Sequence, residues 1–393
     1  MRRHSVVAVG LLILGSLFGV PMSAGASGSP GPVVVVIDST GFDTANPALA
    51  GHVATEVCLD ALGGQSWEQA FCPGRQPSVV ATGSAMPQVL GGAFEFPDAG
   101  HGTAVASEVL AVDPGARLVV IRSLYSFTIG LNWVAQHAGS YNIAAVVYSM
   151  AGQLSDPSVR GWVPCDQSTE SVSGKNIETK PFIDALAQLN IPVVIAAGND
   201  GNGEYLAAPA CISSAVSVGA ADGGTVAPYS NVSAQLSILA PGTAVVATEN
   251  APGQYGTATQ MGTSLAAPYV GGVFALAQSA HPGVSYQEVL AAMRASGTRV
   301  NDELVHGIPL VNPQATLALL TAGGVPSLAS TFAGQTLVPG TGPAGGQPTG
   351  APNSSATQQE IADLQKQVAA LHRTIATLHH TIITLRSRSG ARR

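Results

Sequence analysis

Three uninterrupted apolar runs, rich in β-branched side chains, constrain the fold of this 393-residue chain more than any other feature. They cover residues 33–37, 143–147 and 191–195. A strand with one face in water alternates apolar and polar residues, whereas a strand buried on both faces is continuously apolar. Helical patterns separate the runs. We therefore expect an α/β fold with a mostly parallel central sheet and helices on both sides.

The segment 261–272, MGTSLAAPYVGG, predicts a tight turn that leads into a helix. Gly262 permits backbone angles that other residues avoid. No charged residue follows until after Ala277, so we expect this helix to be buried on all sides. Ser264 would lie at its N-terminus, where free N–H groups favour developing negative charge. Taken alone, the pattern fits a nucleophile and a simple helix cap equally well.

Two more polar residues are predicted at the ends of elements. Asp38 follows the first apolar run, at the carboxyl end of a central strand, where α/β sheets place their ligands. Asp43 is a competing acid, but it lies beyond the turn. His101 precedes Gly-Thr-Ala-Val-Ala and opens a predicted helix that continues to about Leu110. Alone, a histidine at a helix start is more often a cap or a surface residue.

The segments around Asp38, His101 and Ser264 resemble the motifs of the subtilisin-like serine proteases, in the order that this family uses. The resemblance covers about residues 33–320. It implies a subtilisin-like three-layer α/β fold and a serine endopeptidase that acts on proteins or peptides without a cofactor. It also implies that His101 is the general base, that Asp38 orients it, and that Ser264 is the nucleophile.

Two further segments share in the resemblance. Asn199 closes the run Ala-Ala-Gly-Asn at a predicted strand end, and the matching asparagine in the family binds the oxyanion. The segment of Ser149, Met150, Ala151 and Gly152 resembles the strand end that pairs with the substrate backbone. We expect the same roles here.

The chain departs from the family pattern at three positions. Thr40 is an extra residue in the turn that usually reads Asp-Ser-Gly, so the shape of that turn is expected to differ. Ser107 stands where the family often has glycine. Ala48 occupies the place of an acid that helps many members to bind calcium. We therefore expect no metal site.

Two stretches between the motifs are predicted to lack regular structure. Residues 51–100 contain several Gly and Pro and are expected to form an irregular surface excursion. Residues 155–180 form a predicted polar loop, and a helix is expected over residues 181–189.

Residues 1–26 have the pattern of a secretory signal. Two arginines precede the apolar stretch 5–20, and Ala-Gly-Ala at the end offers a cleavage site. A retained membrane anchor is the alternative. We expect a secreted, extracellular protein. Only about six residues separate the signal from the first strand, and we expect the body to refold without a propeptide.

Export favours disulfides among the four cysteines. Three pairings are possible. We favour Cys58 with Cys72 and Cys165 with Cys211. No Cys-x-x-Cys spacing occurs, which argues against a zinc site.

The charge distribution argues against nucleic-acid binding. The chain has a formal net charge of -7, and residues 27–356 carry 21 acidic and eight basic side chains. A body with this excess of acids repels phosphate.

The C-terminal part departs from the family. Residues 321–356 are rich in Gly, Pro, Ser, Thr and Ala and are predicted to form a flexible linker. Residues 357–387 are predicted to form a coiled coil that makes a homo-oligomer, with a dimer favoured through residues 361–385. A trimer, another partner, or a helix packed on the body are alternatives. The heptad positions are Ile361, Leu364, Val368, Leu371, Ile375, Leu378, Ile382 and Leu385.

Two rival functions remain at this point. The first is a catalytically silent binding protein on the same fold, presented as an oligomer. The presence of Asp38, His101, Asn199 and Ser264 together argues against it. The second is an esterase that uses the same triad, and the peptide-pairing segment at Ser149 argues against that.

Overall fold

The computed structural model describes residues 31–60, 72–87, 89–90, 93–94, 100–124, 126–150, 165–166, 176–201, 205–249 and 253–337. The predicted signal (1–26) and the predicted coiled coil (357–387) lie outside these residues, and so does most of the predicted linker. What the sequence indicates for them stays a prediction.

In chain order, the strands are β1 (Val33–Asp38), β2 (Val53–Asp60), β3 (Ser78–Val80), β4 (Val89–Leu90), β5 (Ala93–Phe94), β6 (Arg117–Leu124), β7 (Ile143–Tyr148), β8 (Val193–Ala196), β9 (Val216–Asp222), β10 (Thr225–Val226), β11 (Ile238–Pro241), β12 (Thr243–Glu249), β13 (Tyr255–Met261), β14 (Thr298–Val300), β15 (Val305–His306), β16 (Ile308–Leu310) and β17 (Thr336–Leu337). The α-helices are α1 (His101–Val112), α2 (Phe127–His137), α3 (Asn176–Gln188), α4 (Thr263–Ala280), α5 (Tyr286–Ser296), α6 (Pro313–Ala322) and α7 (Leu328–Thr331). Short 3₁₀ helices cover Pro73–Arg75 and Ala138–Ser140.

The central sheet has the strand order β14-β16-β11-β9-β8-β7-β1-β6-β2-β3, and β10 pairs with β9 beside it. The run from β16 to β2 is parallel throughout. The chain passes from β1 to β6 on one side and then crosses to β7 on the other. The strand order therefore reverses at β1, and its carboxyl end at Asp38 faces the crevice where such sheets bind ligands.

Alternate residues of β1 belong to two separate cores. Val35 and Ile37 pack with residues of α2 and α3 on one face, and Val34 and Val36 pack with residues of α1 and α4 on the other. Both faces of the strand are therefore dry, which explains its continuous apolar sequence. The three-layer α/β arrangement predicted from the sequence is confirmed.

Two glycines let α4 lie directly on its neighbours. A Cβ on Gly271 would overlap Val147 Cγ2 of β7, and a Cβ on Gly272 would lie 2.6 Å from Val112 Cβ of α1. Any larger residue would push the helix away from the sheet or from α1. These contacts fix the axis of α4 and with it the position of its first turn.

The prediction for residues 51–100 was wrong in one respect. The region contains β2, which pairs in parallel with β6 inside the central sheet and buries Val57 and Leu59. The polar residues Thr55 and Glu56 interrupt the apolar pattern, so the sequence did not indicate a buried strand here. Glu56 is buried because Thr44 Oγ1 and Gly83 N donate to its carboxylate at 2.9 and 2.8 Å.

Two predicted boundaries also need correction. Helix α3 begins at Asn176, so the end of the predicted loop 155–180 is helical. The first part of the predicted linker contains α7 and β17, and β17 pairs with β15. Buried Arg294 donates to Thr331 and Gln335 and lies over the ring of Phe332 at 3.3 Å. The folded body therefore extends to at least residue 337.

Both favoured disulfides are present. Cys58 is bonded to Cys72 and Cys165 to Cys211, with Cα atoms 5.6 and 5.3 Å apart. The first joins β2 to the 3₁₀ helix beyond the undescribed segment 61–71. Across the described ranges, no helix has the length and apolar character needed to cross a bilayer.

Candidate active site

Asp38 lies at the end of β1 and is completely buried. Its Oδ2 is 2.7 Å from His101 Nδ1, and its Oδ1 accepts from Thr40 N at 2.8 Å and from Thr40 Oγ1 at 2.7 Å. Burial alone would raise the pKa of this carboxyl, but the bonds from His101 and Thr40 outweigh it, so the pKa lies below its ordinary value. The carboxylate is ionised at neutral pH.

His101 begins α1, and 26% of its side chain is exposed. Because the ionised Asp38 only accepts hydrogen bonds, His101 Nδ1 carries the proton and donates it. In this tautomer of the neutral imidazole, Nε2 carries the lone pair that can accept a proton. The ring is thus oriented by a buried acid on one side and reaches solvent on the other.

Ser264 is the second residue of α4, which begins at Thr263. The turn before it requires glycine, since Gly262 has a φ of 154° and a ψ of 158°, a region that side-chain-bearing residues avoid. The Ser264 N–H belongs to the first turn, where N–H groups have no acceptor within the helix. The hydroxyl therefore lies where the helix dipole favours negative charge.

Asn199 lies in the turn after β8, beside Ser264. Its Oδ1 accepts from both Thr263 N and Thr263 Oγ1 at 2.9 Å. These two hydrogen bonds orient the amide so that its Nδ2 is directed to the site. A Cβ built on Gly262 would lie 3.5 Å from Asn199 Nδ2 and 3.0 Å from Ser264 Oγ. The space that the glycine leaves open is bordered by both polar atoms.

Asn231 braces the turn that carries Asn199, and nothing in the sequence singled it out. Asn231 is fully buried. It accepts from Asp200 N at 2.9 Å and donates to Asp200 Oδ2 at 3.0 Å, while its own N–H donates to Gly198 O at 3.0 Å. It thus holds the residues on both sides of Asn199. Only the folded structure shows this role of Asn231, because 32 residues separate it from Asn199 in the chain.

The competing acid Asp43 has a different set of partners. Its N–H donates to Thr103 Oγ1 at 2.9 Å, and its Oδ1 accepts from Ala45 N at 2.9 Å. Its carboxyl is hydrogen-bonded to Glu249 of β12, and burial together with this bond raises the pKa of Glu249 to about 7. The acid that contacts His101 Nδ1 is Asp38.

The predicted substrate-pairing segment is only partly described. Ser149 and Met150 follow β7 directly, and Met150 Sδ accepts a hydrogen bond from Ser39 Oγ at 3.3 Å, next to Asp38. Ala151 and Gly152 lie outside the described residues. Among the residues that the structure covers, no group of three or more His, Cys, Asp or Glu side chains is arranged to hold a metal ion.

Comparison with known sequences gives a family match. Residues 29–308 match the profile of the subtilase family, Peptidase_S8. Subtilisin DY from Bacillus licheniformis is 32% identical over 234 residues, which are 58% of this chain and 81% of that protein. Alkaline elastase YaB from Bacillus sp. (strain YaB) is 30% identical, over 55% of this chain and 54% of that protein. The chain thus spans about half the length of the second relative.

Solved structures show the same architecture. A protease from Pseudoalteromonas arctica PAMC 21717 superposes with a TM-score of 0.55 at 20% identity, over 73% of this chain and 89% of that chain. A lanthipeptide protease superposes with a TM-score of 0.51 at 20% identity, over 74% and 89%. At such identities the likeness shows the fold alone, and it agrees with the subtilisin-like α/β fold predicted from the sequence.

Proposed function

This chain belongs to the subtilase family of serine endopeptidases, and we propose that it hydrolyses peptide bonds of proteins or peptides through Asp38, His101 and Ser264. The observation that carries the proposal is the 2.7 Å contact between His101 and a completely buried Asp38. Replacing a buried ion pair by apolar residues often leaves stability unchanged or raises it, so stability alone does not account for a buried carboxylate paired to a partly exposed imidazole.

The reaction follows from the chemistry of these groups. His101 Nε2 takes the proton of Ser264 Oγ while the oxygen attacks the carbonyl carbon of the scissile bond. Asp38 holds the imidazole in the tautomer that this step needs and stabilises the imidazolium that it forms. The proton passes to the leaving amine, and an acyl-enzyme remains on Ser264. Water, deprotonated by His101, then releases the acid and restores the serine.

The oxyanion of each tetrahedral intermediate needs donors that are already in place. We assign this role to Asn199 Nδ2 and the Ser264 N–H. The grip of Thr263 on Asn199 Oδ1 supports the assignment, because an amide whose oxygen is held by two donors cannot flip. Removing one such donor costs about 10²–10³-fold in kcat, a magnitude known from subtilisin itself. We assign the pairing with substrate backbone to residues 149–152, because Met150 contacts Ser39, the neighbour of Asp38.

We also propose that the protein is exported and dimeric. The signal pattern of residues 1–26 and the two disulfides support export. The heptads at residues 361–385 support a dimer. Because the folded body extends to at least residue 337, the predicted linker covers residues 338–356 instead of 321–356.

Labelling with a fluorescent serine-directed phosphonate tests the catalytic proposal. We expect the secreted protein to be labelled and the Ser264→Ala variant to remain dark. Ser285→Ala is the matched control, because Ser285 also lies at a helix N-terminus but only caps α5. It should label like the parent protein. If Ser264→Ala still labelled, the assignment would be wrong.

The same preparations separate the rival functions. A serine endopeptidase cleaves both a peptide amide and the matching ester, and it loses both activities in Ser264→Ala. Ester cleavage without amide cleavage would favour an esterase. Absence of labelling and of cleavage in folded protein would favour a silent binding protein.

A further inference from the structure

Two hydroxyl residues follow Asp38, and they point in different directions. Ser39 Oγ donates to Met150 Sδ at 3.3 Å, away from the carboxylate. Thr40, the residue that lengthens this turn, donates to Asp38 Oδ1 twice, from its N–H at 2.8 Å and from its Oγ1 at 2.7 Å. Asp38 thus has one oxygen held by Thr40 and the other facing His101.

The hydroxyl of Thr40 also contacts the helix that carries the imidazole. Gly102 N, the amide after His101, donates to Thr40 Oγ1 at 3.0 Å. Gly102 is in the first turn of α1, where an N–H has no acceptor within the helix. Since the single hydroxyl proton goes to Asp38, the lone pairs of the oxygen accept from Gly102. One oxygen atom therefore connects the acid to the backbone of the base.

The backbone around this oxygen is closely packed. A Cβ on Gly102 would overlap Gly41 O and would lie 3.2 Å from Asp38 Cβ. The start of α1 is thus pressed against the turn that contains Thr40. A carboxylate can rotate about its Cα–Cβ and Cβ–Cγ bonds, and two donors on Oδ1 remove that freedom.

We propose that Thr40 is a positioning residue of the site: its hydroxyl sets the rotation of the Asp38 carboxylate and the distance from that carboxylate to the start of α1. Through these two bonds it keeps Oδ2 aligned with His101 Nδ1. The inference rests on the proposed function, in which this pair activates Ser264.

The other groups around Asp38 do not replace this contact. Tyr148 lies at the end of β7, and burial followed by the charge of Asp38 raises its pKa well above 10, so it is neutral in any assay near neutral pH. Arg122 is the register partner of Asp38 on β6, and its guanidinium donates to Met86 O at 3.2 Å. Imidazole has an ordinary pKa within the range of the assay, and His101 is in direct contact with Asp38. Glu249, whose pKa burial and Asp43 raise to about 7, bonds to Asp43 and not to Asp38.

The test replaces Thr40 by valine, which keeps the backbone N–H and the shape but lacks the hydroxyl. We expect kcat/KM for a peptide amide to fall about 10- to 100-fold, because a hydrogen bond to a charged group is lost. The loss should appear in kcat, with KM nearly unchanged, since the bound substrate is not touched. The acid limb of the pH profile should move to lower pH, because a carboxylate that turns away from His101 Nδ1 stabilises the imidazolium less.

Thr40→Ser should recover most of the activity, since it restores the hydroxyl. Thr44→Val is the matched control: Thr44 Oγ1 donates to the buried carboxylate of Glu56 at 2.9 Å, in the same loop but outside the site. It should leave kcat and the acid limb unchanged. Each kcat is referred to sites counted by burst titration, so that partial unfolding does not imitate a catalytic effect.

An unchanged kcat and acid limb in Thr40→Val would overturn the proposal, even if the melting temperature fell, because Thr40 would then be only structural. If Thr40→Val gives no folded protein, Thr40→Ala, which also lacks the hydroxyl, is measured in its place and decides on the same terms. A failure of the underlying function looks different, since the parent protein itself would then lack activity that depends on Ser264.

Discussion

Glu108 makes the stability of this protein depend on pH in a direction opposite to that of most carboxyl groups. The residue is 5% exposed and lies on α1. Burial, and then the charge of Glu108, raises the pKa of Tyr269 on α4, so the two side chains lie close together. Burial raises the pKa of Glu108 from 4.5 to about 7. The folded protein therefore holds a proton here that the unfolded chain releases between these two values.

The sign and size follow from linkage. Where the folded state binds more protons, the free energy of unfolding falls as pH rises. Each pKa unit corresponds to 1.36 kcal/mol, so the loss from Glu108 reaches about 3 kcal/mol between pH 4.5 and 7 and stays constant above that. Glu108→Gln replaces the carboxyl by a neutral group of the same shape. It should exceed the stability of the parent by only about 1 kcal/mol at pH 5 and by about 3 kcal/mol at pH 8.

Urea denaturation of both proteins at pH 5, 6, 7 and 8 measures this difference, in a Ser264→Ala background that prevents self-digestion. Other titrating groups, including Glu249, are common to both proteins and cancel. Glu303→Gln, at an exposed position, is the control and should leave the pH curve unchanged. Parallel pH curves for the parent and Glu108→Gln would refute the reasoning, as would a variant less stable at pH 8.

Two further substitutions test the site and the C-terminal boundary. Gly262→Ala places a methyl group 3.0 Å from Ser264 Oγ and should lower kcat/KM on a peptide amide about 100-fold. Gly223 also has a positive φ but faces open space, so Gly223→Ala should keep full activity. Equal effects of the two substitutions would contradict the geometry. Arg294→Met should lower the free energy of unfolding in urea by about 3 kcal/mol, because several buried acceptors lose their donor. The exposed Arg299, which donates to Gly307 O at 2.9 Å, is the control, and Arg299→Met should lower the free energy of unfolding clearly less.

The sequence predicted the parallel sheet because two-sided burial leaves a strong local pattern. Strands β1, β7 and β8 fill both cores and therefore consist almost wholly of apolar residues. Strand β2 leaves a weaker pattern, since its buried Glu56 resembles a surface residue until its partners are known. Those partners, Thr44 and Gly83, are 12 and 27 residues away in the chain. No local pattern can show that such a carboxylate is satisfied.

The same distinction applies to the C-terminal boundary. Residues 321–337 have the small and polar composition of a linker, and composition alone favours a flexible chain there. What orders them is Arg294, a residue of α5 whose guanidinium is fully buried and binds Thr331 and Gln335. A single buried cation with its acceptors outweighs the propensity of the segment. The sequence shows the arginine but not the depth at which it lies.

At the site, the sequence led to a prediction of the residues that carry the chemistry, but not of those that hold them in place. Asp38 ends one strand, and Asn199 and Ser264 follow two others. Rigid alignment of groups from separate segments requires links between these segments. Thr40 links the first loop to α1, and Thr263 links the turn of Asn199 to α4. Both links end on hydroxyl groups. A hydroxyl both donates and accepts, so one atom can join two loops without adding a charge that would shift the pKa of the pair beside it. Uncharged hydroxyls therefore suit this position better than acids or bases, and their removal should affect kcat more than folding.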